Sequence, residues 1–131
     1  MKILIVDSDE AIFEIIRVYL EGIGHSAVYA KDSDYAIAIL TQAEHKDIAL
    51  VVIDWKVPRH GAYELISRIR GRVGGKLIWI MFDLAQFPDK TQNEARRFIL
   101  LRVANHRVGV AIPKERILTH VQSELPAQAA R

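Results

Sequence analysis

The sequence predicts an α/β protein, a single domain on a five-stranded, doubly wound parallel sheet. Five short apolar runs alternate with stretches in which apolar residues recur at helical spacing. Two runs end in carboxylates, Ile3–Val6 at Asp7 and Leu50–Ile53 at Asp54. The chain has 131 residues, of which 50% are hydrophobic, so it is long and apolar enough to bury one core. It has no cysteine, which excludes a disulfide framework. Alternating strands and helices favour helices on both faces of a parallel sheet.

The first two βα units are marked by apolar spacing and by glycines. The first strand, Ile3–Val6, precedes a helix that ends at Gly22 and Gly24. Strand two is 25–30, and Ser33 is the predicted N-cap of helix two. The apolar positions that define these helices are Ile12, Ile15, Ile16, Tyr19 and Leu20, then Ala36, Ile37, Ile39 and Leu40.

Three more units follow. Strand three is predicted at 48–53, strand four at 77–82 and strand five at 108–112. Helix three surrounds Leu65, Ile66 and Ile69 after a loop with Pro58 and Gly61, helix four spans about 90–104, and helix five surrounds Ile117, Leu118 and Val121. We therefore expect a domain at 1–123 and a tail or linker at 124–131.

Composition narrows the function classes. Five histidines without zinc-ligand spacing, and no cysteine, argue against a zinc site. Strand residues directly follow Met1, and no apolar run approaches the ~20 residues that span a bilayer, so a cytoplasmic protein is expected. A net charge of +2 is too mild to indicate nucleic-acid binding, and no helix-turn-helix follows helix five.

The acids that follow strands one and three should meet at one edge of the sheet. Asp7, Asp9 and Asp54 are the residues concerned. Ligands of open α/β sheets bind outside the carboxyl ends of the strands. Clustered carboxylates repel one another unless a cation lies among them, and Mg²⁺ or a lysine can supply that charge.

Together these residues resemble a known family. The Ile-Leu-Ile-Val-Asp7 start, the Asp54…Pro58…Gly61 loop and Ile112-Pro113 are similar to the chemotaxis-type receiver domain of bacterial two-component response regulators. The resemblance implies a flavodoxin-like sheet of order 2-1-3-4-5 and a signalling role rather than an enzyme. It implies that Asp54 is the phosphoacceptor for a histidine kinase or phosphotransfer protein. It also implies Mg²⁺ bound by Asp7, Asp54 and the backbone carbonyl of Lys56.

The metal side of the pocket departs from that pattern. Ser8 stands where the family has a second acid, which weakens the predicted Mg²⁺ site. Asp9, displaced by one residue, is either a substitute ligand or a helix N-cap. Lys56 offers a compensating hypothesis, a built-in counter-ion in place of the metal. The alternative is a solvated loop lysine.

The switch positions also depart from the family pattern. Strand four ends without the expected hydroxyl, at Phe82 or Asp83. Ile112 replaces the lysine that precedes the proline, and Lys114 is assigned to the start of a helix. Gly109 falls at the position of the aromatic switch residue.

The resemblance places the output surface on helix four, strand five and helix five, the α4-β5-α5 face of the family. Arg96, Arg97, Arg102 and Arg107 should lie on or near it. Four consecutive apolar residues, 98–101, cannot all face inward on a helix. We therefore expect an interface there for a protein partner or a second copy. The alternative is a solvated basic face.

Three functions remain open from the sequence. The first is an atypical receiver that is phosphorylated on Asp54. The second is a phosphorylation-independent pseudo-receiver that acts as a protein-interaction or dimerisation module. The third and most remote is a haloacid-dehalogenase-like phosphatase, because Asp7-Ser8-Asp9 resembles the DxD nucleophile motif.

Overall fold

The computed structural model describes residues 1–57, 61–73, 77–86, 94, 97 and 110–125. The strands are β1 (Lys2–Val6), β2 (Ser26–Ala30), β3 (Ile48–Asp54), β4 (Leu77–Phe82) and β5 (Val110–Pro113). The helices are α1 (Glu10–Gly22), α2 (Ser33–Leu40), α3 (Gly61–Val73) and a C-terminal helix (Ile117–Glu124). The strands form one parallel sheet in the order β2-β1-β3-β4-β5, which confirms the predicted fold class.

Both faces of the sheet are covered by helices. Side chains of a strand alternate between the two faces, so each strand contributes apolar residues to two cores. One core contains Ile3, Ile5, Leu50 and Val52 from the sheet, packed with residues of α1 and the C-terminal helix. The other contains Leu4, Val6, Val51 and Ile53, packed with residues of α2 and α3. Burying each such side chain contributes about 1.5–3 kcal/mol. Near-continuous apolar strands are what a sheet covered on both faces requires.

Aspartates, not serine, cap the first two helices. Asp9 is the N-cap of α1, where its carboxylate accepts a hydrogen bond from Ala11 N at 2.9 Å. Asp32 is the N-cap of α2 and accepts from Tyr35 N at 2.9 Å. The prediction of Ser33 as this cap is therefore wrong, since Ser33 is the buried first residue of the helix. Asp32 is extended, and its charge also suits a helix N-terminus.

The end of β5 differs from the prediction in a way that affects the site. Pro113 takes the last register position, opposite Phe82, although the sequence suggested a stop at Ile112. A proline is tolerated there because the strand ends and lies at the edge of the sheet. A 3₁₀ turn, Lys114–Arg116, then precedes the C-terminal helix. Lys114 thus begins a 3₁₀ turn instead of the predicted helix.

The predicted fourth helix falls mostly outside the described residues. Glu94 and Arg97 are described, and both are helical. The loop 58–60, the first predicted residues of strand five with Gly109, and the tail 126–131 also lie outside them. Within the described part, no helix has the length and apolar character needed to cross a membrane.

Candidate functional site

The carboxyl ends of β1 and β3 bring two aspartates together. The strands are neighbours, with Val6 opposite Ile53, so Asp7 and Asp54 follow at the same edge. Both are buried, at 0% and 6% exposure. Each accepts a hydrogen bond from the backbone two residues later, Asp7 Oδ1 from Asp9 N at 2.8 Å and Asp54 Oδ1 from Lys56 N at 3.3 Å. These bonds hold the carboxylates at the edge.

Lys114 is the cation of this pocket. Its Nζ donates to Asp54 Oδ2 at 3.0 Å and lies 3.3 Å from Asp7 Oδ2. The sequence hypothesis gives this role to Lys56, but the ion pairs of the two acids within the described residues are made by Lys114, and Lys56 contributes its backbone N–H to Asp54. Because the 3₁₀ turn starts directly after Pro113, the stem of Lys114 crosses β4 to reach β3 and β1. A lysine next to the end of an edge strand was the signal that sequence reasoning missed.

The pocket shifts the pKa values of Asp7 and Lys114 in ways that follow from burial and from neighbouring charges. Burial raises the pKa of Asp7, and the nearby Asp54 adds to this, outweighing the Asp9 N–H and Lys114. Burial lowers the pKa of Lys114, but its contacts with Asp54 and Asp7 outweigh that effect, and its pKa is raised overall. The lysine therefore stays protonated, while Asp7 is a weaker acid than usual.

The chemistry of the pocket suits a further cation. Asp7 Oδ2 is buried and accepts no hydrogen bond within the described residues, its charged neighbour being Lys114 at 3.3 Å. Two carboxylates facing one ammonium leave a net negative charge, and hard oxygens are what Mg²⁺ prefers. However, the described residues hold no group of three His, Cys, Asp or Glu arranged for a metal. Within the described residues, Asp7 and Asp54 are therefore the two acids that could hold a metal at this edge.

The predicted switch residues lie in three different environments. Phe82 is fully buried in the core under α2 and α3, whereas Ile112 is buried in the core under α1. Asp83 lies just beyond β4, where its Oδ1 accepts from Ala85 N at 2.9 Å. β4 thus ends at Phe82, and Asp83 is the residue that follows it.

Only one of the predicted interface arginines is described. Arg97 is exposed and helical. Arg96, Arg102 and Arg107 lie outside the described residues. The basic face therefore stays a prediction.

Comparison with known proteins places the fold. No protein-family model and no curated protein matches the sequence. Solved structures do match. A receiver domain protein from Methanospirillum hungatei, described as CheY-like, is 19% identical, with a TM-score of 0.71 over 95% of this chain and 92% of its own. A response regulator receiver protein from Pseudomonas putida is 21% identical, with a TM-score of 0.69 over 94% and 96%.

A third structure bears on the metal question. The Mn²⁺-bound form of response regulator Rcp1 is 15% identical, with a TM-score of 0.71 over 98% of this chain and 96% of its own. These likenesses cover nearly the whole of each chain. The chain has the fold of the response regulator receiver domains.

Proposed function

We propose that the chain is a two-component signalling receiver domain in which Asp54 accepts a phosphoryl group. The observation that carries this proposal is the contact of Lys114 with both Asp54 and Asp7 at the carboxyl edge of the sheet. An acceptor carboxylate, a second acid and a lysine are the groups that phosphoryl transfer to an aspartate needs. The fold of the structural neighbours agrees with this chemistry.

The pocket can perform the transfer by nucleophilic attack. An Asp54 oxygen attacks phosphorus, the bond from phosphorus to the donor's leaving group breaks, and an acyl phosphate forms. Lys114, protonated and flexible, would neutralise the phosphoryl oxygens as they arrive. Mg²⁺, when held by Asp7, Asp54 and the Lys56 carbonyl, would supply further charge neutralisation. A histidine kinase, a phosphotransfer protein or a small phosphoryl donor would be the source.

A pseudo-receiver is the second candidate, favoured by the end of β4. Phe82 is buried in the core, and Asp83 follows it directly; these are the two positions at which the resemblance implies a hydroxyl. In this case the domain would act through a permanently formed surface, as an interaction or dimerisation module. In either case we propose output through the face that contains Arg97, in the cytoplasm and without enzymatic turnover.

The deciding experiment is a titration with beryllofluoride, a phosphoryl mimic, in the presence of Mg²⁺. Trp55 is the reporter, because it adjoins Asp54, donates from its backbone to Met81 O at 2.7 Å and packs half-buried against the core. Trp79 is buried under the opposite face and should report the fold instead. Asp54→Asn is the matched control, since it keeps the shape of the side chain and removes its negative charge.

A saturable change in Trp55 fluorescence that Asp54→Asn abolishes would support the receiver. Addition of one phosphoryl group by a small donor, seen by intact mass and lost in the same variant, would support it independently. No response at millimolar Mg²⁺ in a folded sample would overturn phosphorylation and favour the pseudo-receiver. Hydrolysis of a generic phosphate ester, abolished by Asp7→Asn, would instead revive the phosphatase alternative.

A further inference from the structure

The turns that follow β4 and β5 are joined by a hydrogen bond beside the acid pocket. Glu115 Oε1 accepts from Leu84 N at 3.2 Å. Leu84 opens the 3₁₀ turn 84–86 after β4, and Glu115 lies in the turn Lys114–Arg116 after β5. Glu115, which accepts from Leu84 N, therefore directly follows Lys114, which donates to Asp54.

The turn that contains Glu115 is attached to the acid pocket, and Leu84 is attached to the core. The turn 114–116 starts at the last residue pair of the sheet, Phe82 opposite Pro113, so it has little freedom at its origin. Lys114 holds it to Asp54 at 3.0 Å. On the other side, Leu84 packs against the core under α2 and α3. A change at Asp54 that pulls Lys114 would thus pull Glu115, and with it the backbone of Leu84.

We infer that Glu115 is a positioning residue that couples the position of Lys114 to the turn after β4. Glu115 would take the coupling role that the resemblance gives to a hydroxyl at the end of β4. At that place this chain has Phe82, which is buried in the core, and Asp83, which accepts a hydrogen bond from Ala85 N. A carboxylate accepting from a backbone N–H is a strong but exposed bond, suited to breaking and re-forming. The switching role rests on the proposed function, whereas the mechanical link does not.

The test measures the Leu84 amide by NMR while the acid pocket is perturbed in two ways. In the first, beryllofluoride and Mg²⁺ are added to the full chain, and Trp55 fluorescence records binding in parallel. In the second, without ligand, Lys114→Arg keeps the charge but displaces it. Both perturbations are applied to wild type, Glu115→Ala, Glu115→Gln and the control Glu124→Ala, an exposed acid on the C-terminal helix.

We expect both perturbations to shift the Leu84 amide in wild type, Glu124→Ala and Glu115→Gln, whose amide oxygen can still accept. In Glu115→Ala the shift should fall at least severalfold, while the mimic's affinity measured through Trp55 stays within about twofold. An equal Leu84 response in Glu115→Ala would overturn the coupling. If wild type gives no Trp55 response to the mimic, the proposed function fails, and the Lys114→Arg arm still decides the link.

Discussion

Replacing Lys114 with methionine gives the most direct test of the acid pocket. Methionine keeps the length of the stem and removes the charge that lies 3.0 Å from Asp54 and 3.3 Å from Asp7. At an effective dielectric of about 20, each of these contacts is worth roughly 5 kcal/mol before desolvation. The Lys114 side chain is 23% exposed, so solvent screening and the cost of burying the ammonium remove much of this. We expect the free energy of unfolding to fall by about 2–3 kcal/mol.

Urea unfolding at neutral pH and low salt measures this loss, and Lys56→Met is the matched control. Lys56 donates its backbone N–H to Asp54, and methionine at this position keeps that N–H. The free energy of unfolding of Lys56→Met should therefore fall by no more than about 0.5 kcal/mol. In the Lys114 variant the loss should shrink as the pH falls below the raised pKa of Asp7, because a protonated carboxyl no longer repels Asp54. Millimolar Mg²⁺ should also restore part of the free energy of unfolding that Lys114→Met loses. Equal losses in the two variants, or a loss independent of pH, would refute the reasoning.

Three further outcomes follow from the site and the helix caps. Asp7→Asn should raise the free energy of unfolding at pH 7 by on the order of 1 kcal/mol, because burial and Asp54 disfavour the negative charge of Asp7. This gain should vanish in acid, where Asp7 of the folded wild type is already protonated. Urea titrations at both pH values measure the difference. Asp32→Ala should cost about 1 kcal/mol in the same assay, since Tyr35 N loses its acceptor. Asp83→Asn should tighten beryllofluoride binding by up to about tenfold, because it removes a negative charge just beyond β4 and keeps an oxygen that accepts from Ala85 N. Unchanged affinity would show that the Asp83 charge does not act on the bound mimic.

Local patterns account for what the sequence predicted correctly. An apolar run that stops at an acid indicates both the end of a strand and the place of a carboxylate, so the sequence predicts that Asp7 and Asp54 lie at one edge, as they do. The order of the strands came from the family resemblance, because no local pattern states which strands are neighbours. The choice between Asp32 and Ser33 as a cap failed because both residue types cap helices. Only the extended backbone at Asp32 separates them.

Lys114 was missed for a different reason. Its partner Asp54 is 60 residues away, and the contact depends on a flexible stem that crosses a strand. The family pattern puts a lysine directly before the proline, where this chain has Ile112, whose side chain lies in the core on the α1 side. A long side chain tolerates such a shift along the chain, whereas a short group such as the missing hydroxyl does not. Lys114 therefore reaches Asp54 and Asp7 although it follows the proline instead of preceding it.

The place of that lysine has a consequence for how the pocket balances stability against reaction. Lys114 neutralises one of two buried negative charges, so the domain can fold with its acids together and without a metal. The remaining charge favours a second cation, since the buried Asp7 Oδ2 accepts no hydrogen bond within the described residues and has Lys114 Nζ 3.3 Å away. Because the ammonium is partly exposed and tethered through a turn, it can follow an incoming anion without disturbing the ladder between β4 and β5. Held this way, Lys114 stabilises the resting pocket, and under the proposed function the same ammonium would contact the phosphoryl group.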